Sequence, residues 1–132
     1  MHLTALYSTG AEAIELALRI ARVVTGRNHI LSFKDHFHGK TQGTMHLVRQ
    51  FPDCFGPVPD SYRTVIDSDG SDEPEVIERY LSEVPVEDLA AVIFEPVIGY
   101  SGPRLLHNEF LRTVRRFCDS STKCARKSSL IR

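Results

Sequence analysis

A strong helix between two short apolar segments constrains the fold of this chain more than any other feature. In STGAEAIELALRIARVVTGR, Thr9 and Glu12 have the spacing of a capping box, and Gly26 follows as a typical C-terminal cap. Alanine, leucine and isoleucine favour the helix between them. Residues 3–7 (LTALY) and His29–Phe33 (HILSF) are short apolar runs and are predicted as strands. Strand, helix and strand in this order predict a parallel βαβ unit.

The faces of this helix differ in polarity. Glutamate and arginine recur on one side at helical spacing, at Glu12, Glu15, Arg19 and Arg22. Alanine, leucine, isoleucine and valine occupy the other sides as far as Val24. This pattern predicts a largely buried helix with one solvated stripe.

The rest of the chain alternates strands and helices, which predicts an α/β fold. After His29–Phe33 we predict a loop over 34–63 with a short helix near 41–47, and then an edge or short strand Thr64–Ile66. A helix follows, capped by Asp72, with Pro74 in its first turn and Val76, Ile77, Tyr80 and Leu81 on its apolar face. The last predicted elements are a strand Leu89–Val97 covered on both faces, a loop over 98–103, and an amphipathic helix carrying Phe110, Leu111, Val114 and Phe117.

Two segments have features of phosphate sites. DHFHGKT ends as a P-loop ends, but a P-loop needs glycine five positions before Gly39, where this chain has Lys34. The first long helix is the better candidate, because its first N–H groups lack internal partners and its dipole attracts anions. Gly10 has no Cβ, so a phosphate can approach its backbone closely. The alternative is that Thr9 only caps the helix and Gly10 only turns the chain, and spacing alone favours that alternative.

Composition limits the other function classes. With 132 residues, 42% hydrophobic and 25% charged, the chain corresponds to one soluble globular domain. A net charge of −1 and no apolar run of membrane-spanning length argue against a nucleic-acid or membrane partner. Cys54, Cys118 and Cys124 show no metal-binding spacing and suit a reducing cytoplasm. His36 and His38 lack further ligands at a fixed spacing, so neither a metal site nor a catalytic role is assigned to them.

Three segments together resemble one family. STGAEAIELALRIAR followed by TGR, then FHGKTQGT, then AAVIFEPVIGYSGP with a helix ending FCD, closely resemble the class-III aminotransferases in order and separation. These are pyridoxal 5'-phosphate (PLP) enzymes of fold type I. The resemblance covers residues 3–119 and implies an internal fragment of the large domain, a partial three-layer α/β/α sandwich. It does not specify a substrate, because related aminomutases share these segments.

The resemblance implies cofactor-binding roles. Gly10 and Ala11, next to Thr9, match the amides that hold the cofactor phosphate, and Phe37 matches the aromatic residue that stacks on the pyridine ring. Glu95 matches the glutamate of the EPV segment at the carboxyl end of a strand, where ligands gather in open α/β sheets. The alternatives are core packing for Phe37 and a charge facing water for Glu95. Lys40 is then an ordinary loop lysine.

Two parts of the family's machinery have no counterpart here. Transamination needs a lysine that forms a Schiff base and a carboxylate that keeps the pyridine nitrogen protonated, and both lie beyond the FCD helix in the family. After Asp119 this sequence has no acidic residue, and Lys123 and Lys127 are not in the family's lysine context. We therefore predict a partial PLP-binding large domain over 1–119 with no catalytic residue, followed over 120–132 by an atypical basic tail that is disordered or frameshifted. Reading the gene beyond codon 119 in all frames tests this.

These features favour one function over two others. The parent enzyme is expected to be a cytoplasmic homodimer that moves an amino group between an amino acid or amine and a keto acid, and this chain alone is expected to be inactive. The alternative is a non-catalytic module that binds a phosphorylated small molecule at Gly10 and Ala11 or docks on a full-length relative. An unrelated phosphate-binding α/β domain is disfavoured by the joint match of the three segments.

Overall fold

The computed structural model describes residues 6–48, 63–67, 71–99 and 102–129, with side chains to Ser121. In chain order the elements are α1 (Gly10–Thr25), β1 (His29–Phe33), α2 (Gln42–Met45), β2 (Arg63–Ile66), α3 (Pro74–Ser82), β3 (Leu89–Val92), β4 (Val97–Ile98), β5 (Arg104–Leu105) and α4 (Asn108–Ser129). The predicted strand over residues 3–7 lies largely outside the described residues, and the two described ones, Leu6 and Tyr7, are exposed and not in a strand.

A parallel three-stranded sheet forms the centre of the described fold. Its order is β2-β1-β3, and both outer strands run parallel to β1. All five residues of β1 are buried, because β1 has a strand on each side and helices over each face. The predicted strands at His29–Phe33 and Thr64–Ile66 are confirmed. A two-stranded antiparallel ladder joins β4 to β5. The sequence analysis placed Val97 at the end of the preceding strand and predicted a loop over 98–103, with no prediction for Arg104–Leu105.

Helices cover the sheet on both faces. Leu31 and Phe33 point to the face where they pack with Ile77, Phe110 and other residues of α3 and α4. Ile30 points the other way and packs with Leu18 of α1 and with Leu47. The predicted three-layer α/β/α arrangement is confirmed.

Helix α1 has the predicted ends, but the prediction that it is largely buried is wrong. Thr9 and Glu12 form the capping box, and Gly26 is the left-handed C-cap. Of its residues only Leu18 is fully buried, while Val23 and Val24 are 77% and 78% exposed. Helix α1 packs mainly against β3 and α2. One stripe of α1 makes these contacts, and Val23 and Val24 lie outside that stripe.

Two further predictions need correction. The strand expected over Leu89–Val97 ends at Val92 and is only half-buried after Leu89, since β3 is an outer strand of the described sheet and the chain leaves it before Glu95. Asp72 does not cap α3, whose N-cap is Glu73 without a side-chain bond. The buried Asp72 carboxylate instead accepts a bond from the His107 N–H (2.9 Å), at the start of α4.

Helix α4 confirms the predicted amphipathic helix and continues beyond it. Phe110 and Val114 are buried, and Leu111 and Phe117 pack against the same cluster. The backbone stays helical to Ser129, including residues for which the sequence favoured disorder. The domain boundary at 119/120 and the origin of 120–132 stay predictions. Within the described ranges, no helix combines the length and apolar character needed to span a bilayer.

Candidate functional site

Two backbone amides at the start of α1 are available to a ligand. The Glu12 N–H donates to Thr9 Oγ1 (3.2 Å), and the Ala13 N–H donates to the Thr9 carbonyl (3.2 Å). The Glu12 carboxylate turns back and accepts from the N–H groups of Ser8 and Thr9 (3.1 Å each). Within the described part of the chain, only the amides of Gly10 and Ala11 are therefore left without an acceptor in this first turn. Together with the dipole of a 16-residue helix, they favour an anion.

The space around Gly10 is open, whereas Ala11 contacts the loop that follows β1. A Cβ built on Gly10 would meet no atom within 4 Å. A Cβ built on Gly39 would lie 2.5 Å from Ala11 Cβ and 3.0 Å from Ala11 Cα. The FHG segment therefore lies directly against the first turn of α1, and a side chain at Gly39 would separate them.

A tight turn at the end of β1 directs this segment toward the end of β3. The Lys34 N–H donates to the Ile66 carbonyl (2.8 Å), and Asp35 adopts a φ of 69°. The Phe37 N–H then donates to Glu95 Oε2 (2.8 Å). Since β1 and β3 are parallel neighbours, their carboxyl ends lie at the same edge of the sheet. Phe37 and Glu95 thus meet at the edge where α/β proteins bind ligands.

Glu95 is half-buried and fixes the HFH segment at two points. Its carboxylate holds the Phe37 N–H, and its own N–H donates to His36 Nδ1 (2.7 Å). The alternative of a glutamate facing only water does not fit these contacts. Phe37 is also half-buried. Contact of either side chain with a cofactor stays a prediction.

Two buried neutral histidines line the same segment, and sequence reasoning gave them no role. His36 and His38 are 3% and 7% exposed, and their ring centroids are 6.4 Å apart. The pKa of each is lowered to about 4, mainly by burial; for His36 the neighbouring His38 and Arg104 contribute to this lowering. The bond from the Glu95 N–H requires an unprotonated Nδ1 on His36, so its proton is on Nε2. The sequence signal for this pair was the spacing of two residues between His36 and His38, which places both rings on one side of an extended segment.

Glu15 is another residue next to this group to which the sequence analysis gave no role. It was placed on the solvated stripe of α1, yet it is half-buried. Its Oε1 accepts from Thr41 Oγ1 (2.6 Å) and from the Gly43 N–H (2.8 Å). Glu15 therefore joins α1 to the loop that carries Phe37.

The predicted site residues thus form one connected group. Thr9, Gly10 and Ala11 are contiguous at the start of α1, and Gly39 connects them to Phe37 and Glu95. The Thr9 hydroxyl is engaged in the capping box. A separate open cavity of about 470 Å³ between α3 and α4 shares no residue with this group.

Comparison with known proteins shows the fold and the family of this chain. The profile of the family "Aminotransferase class-III" matches residues 3–123. The chain is 39% identical over 127 residues to 2-aminoadipate transaminase of Pseudomonas putida, covering 86% of this chain and 30% of that protein. It is 32% identical over 116 residues to acetylornithine aminotransferase of Methanosarcina mazei, covering 86% and 28%. Among solved structures, a transaminase with PLP bound superposes with a TM-score of 0.70 at 26% identity, covering 88% of this chain and 28% of that one.

The fold therefore corresponds to a part of the α/β fold of PLP-dependent transaminases. The chain belongs to the class-III aminotransferase family, whose members depend on PLP. It spans less than a third of the length of these relatives, 30% and 28% of the two named.

Proposed function

We propose that this chain carries the phosphate and ring contacts of a PLP site, with the cofactor phosphate on the Gly10 and Ala11 amides and the ring against Phe37. One observation carries the proposal: the first turn of α1, which holds the two available amides, lies against Gly39 in the segment that carries Phe37. A flat phosphorylated ring needs an anion site and an aromatic surface close together.

The residues present fit this cofactor. Open space at Gly10 lets phosphate oxygens approach the two N–H groups, which the helix dipole makes more attractive to a dianion. Stacking on Phe37 would orient the ring and exclude water from one side. The Glu95 carboxylate holds the Phe37 backbone in place. When bound, PLP supplies an electron-accepting ring that stabilises negative charge at the reacting carbon.

A paired substitution tests the phosphate contact. Gly10→Ala places a methyl group in open space, so the fold should tolerate it, but the methyl lies where phosphate would approach. Gly99→Ala is the matched control, since a Cβ there also meets nothing within 4 Å and Gly99 is not among the residues proposed to contact the cofactor. We expect wild type and Gly99→Ala to bind PLP equally in equilibrium dialysis and Gly10→Ala to bind roughly tenfold more weakly, the equivalent of about one charge-assisted bond. Equal affinities of all three proteins would refute the phosphate assignment.

We further propose that the full-length protein transfers an amino group between an amino acid or amine and a keto acid, and that these 132 residues do not catalyse it alone. The support is the family membership and the predicted lack of a cofactor lysine and a pyridine-nitrogen carboxylate. Borohydride treatment with PLP, followed by peptide mapping, should give no single-site lysine adduct. A single modified lysine would contradict the proposed inactivity.

A second candidate function, docking on a full-length relative, is favoured by the exposed apolar side of α1. Ile20, Val23 and Val24 are 42%, 77% and 78% exposed, which is unusual for three apolar residues on one helix. The same side chains would support a homodimeric parent. Co-purification with a full-length class-III aminotransferase, lost on changing Val23 and Val24 to serine, would support docking. Absence of any complex with wild type would exclude it.

A further inference from the structure

We propose that Glu15 is a positioning residue that sets the distance between the anion site of α1 and the aromatic wall at Phe37. The inference rests on the proposed PLP site. It gives a role to a half-buried carboxylate that the cofactor contacts do not use.

The contacts of α1 with the loop come in two matched pairs. Ala11 and Glu15 are four residues apart, so they share one face of the helix. Gly39 and Gly43, also four apart, lie against them. A Cβ on Gly39 would be 2.5 Å from Ala11 Cβ, and a Cβ on Gly43 would be 2.5 Å from Glu15 Oε2. The loop is thus held against a single face of α1 at two positions about one helical turn apart, at Ala11 and at Glu15.

Hydrogen bonds fix the geometry of the contact at Glu15. Glu15 Oε1 accepts both the Thr41 hydroxyl (2.6 Å) and the Gly43 N–H (2.8 Å). The Thr41 N–H in turn donates to Thr44 Oγ1 (3.1 Å), whose position also lies 3.0 Å from a Cβ on Gly39. One carboxylate oxygen therefore fixes where the loop approaches α1, and Phe37 lies in the same loop.

This geometry separates positioning from general stability. Inorganic phosphate needs only the Gly10 and Ala11 amides, whereas PLP needs those amides and Phe37 at a matching distance. A change at Glu15 should therefore leave phosphate binding intact and weaken PLP binding. Glutamine retains an oxygen at the position of Oε1 that can accept both bonds, so Glu15→Gln should restore most of the effect.

The test is a pair of titrations of the ¹⁵N-labelled full chain, with inorganic phosphate and with PLP, followed at the Gly10 and Ala11 amides well below the unfolding temperature. We expect Glu15→Ala to raise the PLP dissociation constant roughly tenfold, from the loss of two charge-assisted bonds, with phosphate affinity changed less than about twofold. Glu15→Gln should lie within about threefold of wild type. Glu75→Ala, at an exposed glutamate in the first turn of α3, is the control and should match wild type for both ligands.

A second variant keeps the inference testable if Glu15→Ala does not fold. Thr41→Val removes one of the two donors and keeps the Gly43 bond, and we expect roughly a threefold weaker PLP affinity. If folded variants bind PLP as wild type does, or lose phosphate and PLP affinity in parallel, Glu15 has no positioning role. Failure of wild type itself to bind PLP would refute the proposed site and this inference with it.

Discussion

Gly39→Ala is the substitution with the most direct structural consequence for the site. Gly39 has a φ of 125°, a region that residues with side chains rarely adopt. Its added methyl would lie 2.5 Å from Ala11 Cβ and 3.0 Å from both Ala11 Cα and Thr44 Oγ1. Ala11 Cα belongs to the backbone of α1 and Ala11 Cβ is attached to it, so neither atom can rotate away. The loop and the helix must therefore separate.

The magnitude has two parts. Backbone strain at such a φ costs about 1–3 kcal/mol. Overpacking against atoms that cannot move adds about 1–3 kcal/mol. Gly102→Ala is the matched control, because Gly102 has a φ of 119° and nothing within 4 Å of its hypothetical Cβ, so only the strain applies there. The difference between the two variants isolates the contact between the loop and α1.

Urea unfolding of both variants measures this difference directly. We expect Gly39→Ala to be less stable than Gly102→Ala by about 1–3 kcal/mol. Adding Ala11→Gly to Gly39→Ala should recover part of that loss, since it removes the nearest atom. Equal stabilities of the two single variants, or no recovery in the double variant, would show that the FHG segment does not lie against α1.

The remaining predictions concern pH, stacking and capping. The pKa of His36 and His38 is about 4 in the folded protein and near 6.5 in the unfolded chain, so between these pH values the unfolded chain binds more protons. The free energy of unfolding that the neutral rings contribute is therefore complete above pH 6.5. It is lost as the pH falls through 4, by up to roughly 3 kcal/mol per ring. A urea midpoint that stays constant from pH 7 to pH 4 would refute this. Phe37→Leu should weaken PLP binding by roughly three- to tenfold, since stacking is worth about 0.5–1.5 kcal/mol, whereas Phe37→Tyr should retain it; equal binding by both would mean that the ring does not stack. Thr9→Ala should lower the free energy of unfolding by about 1 kcal/mol through loss of the Glu12 capping box, and Thr9→Ser should not; identical unfolding curves would exclude that role.

Local signals predicted the elements of this fold well. The capping box and Gly26 defined α1, and short apolar runs defined β1 and β2, because these features depend on residues close in sequence. The extent of β3 and the burial of α1 could not be predicted in the same way. Both depend on which surfaces pack against them, and an apolar run does not reveal that.

The same distinction applies to the site. Gly10, Ala11, Phe37 and Glu95 were predicted as site residues from their motifs, and the structure brings them close to one another through Gly39. Contacts that span many positions were invisible in the sequence. Glu15 accepts a bond from the Gly43 N–H across 28 positions, and the sequence analysis placed Glu15 on a solvated stripe. Asp72 accepts a bond from the His107 N–H across 35 positions, and the sequence analysis placed Asp72 at the start of α3 instead of α4.

The proposed site requires that the first turn of α1 and the segment around Phe37 bind PLP together. An amide ¹H–¹⁵N titration of the wild-type chain with PLP tests it most directly. We expect saturable shifts at Gly10, Ala11 and Phe37 with one common dissociation constant, and inorganic phosphate should reproduce the first two shifts without the third. Shifts confined to lysine-rich surface positions, or an unchanged spectrum in a folded protein, would contradict it.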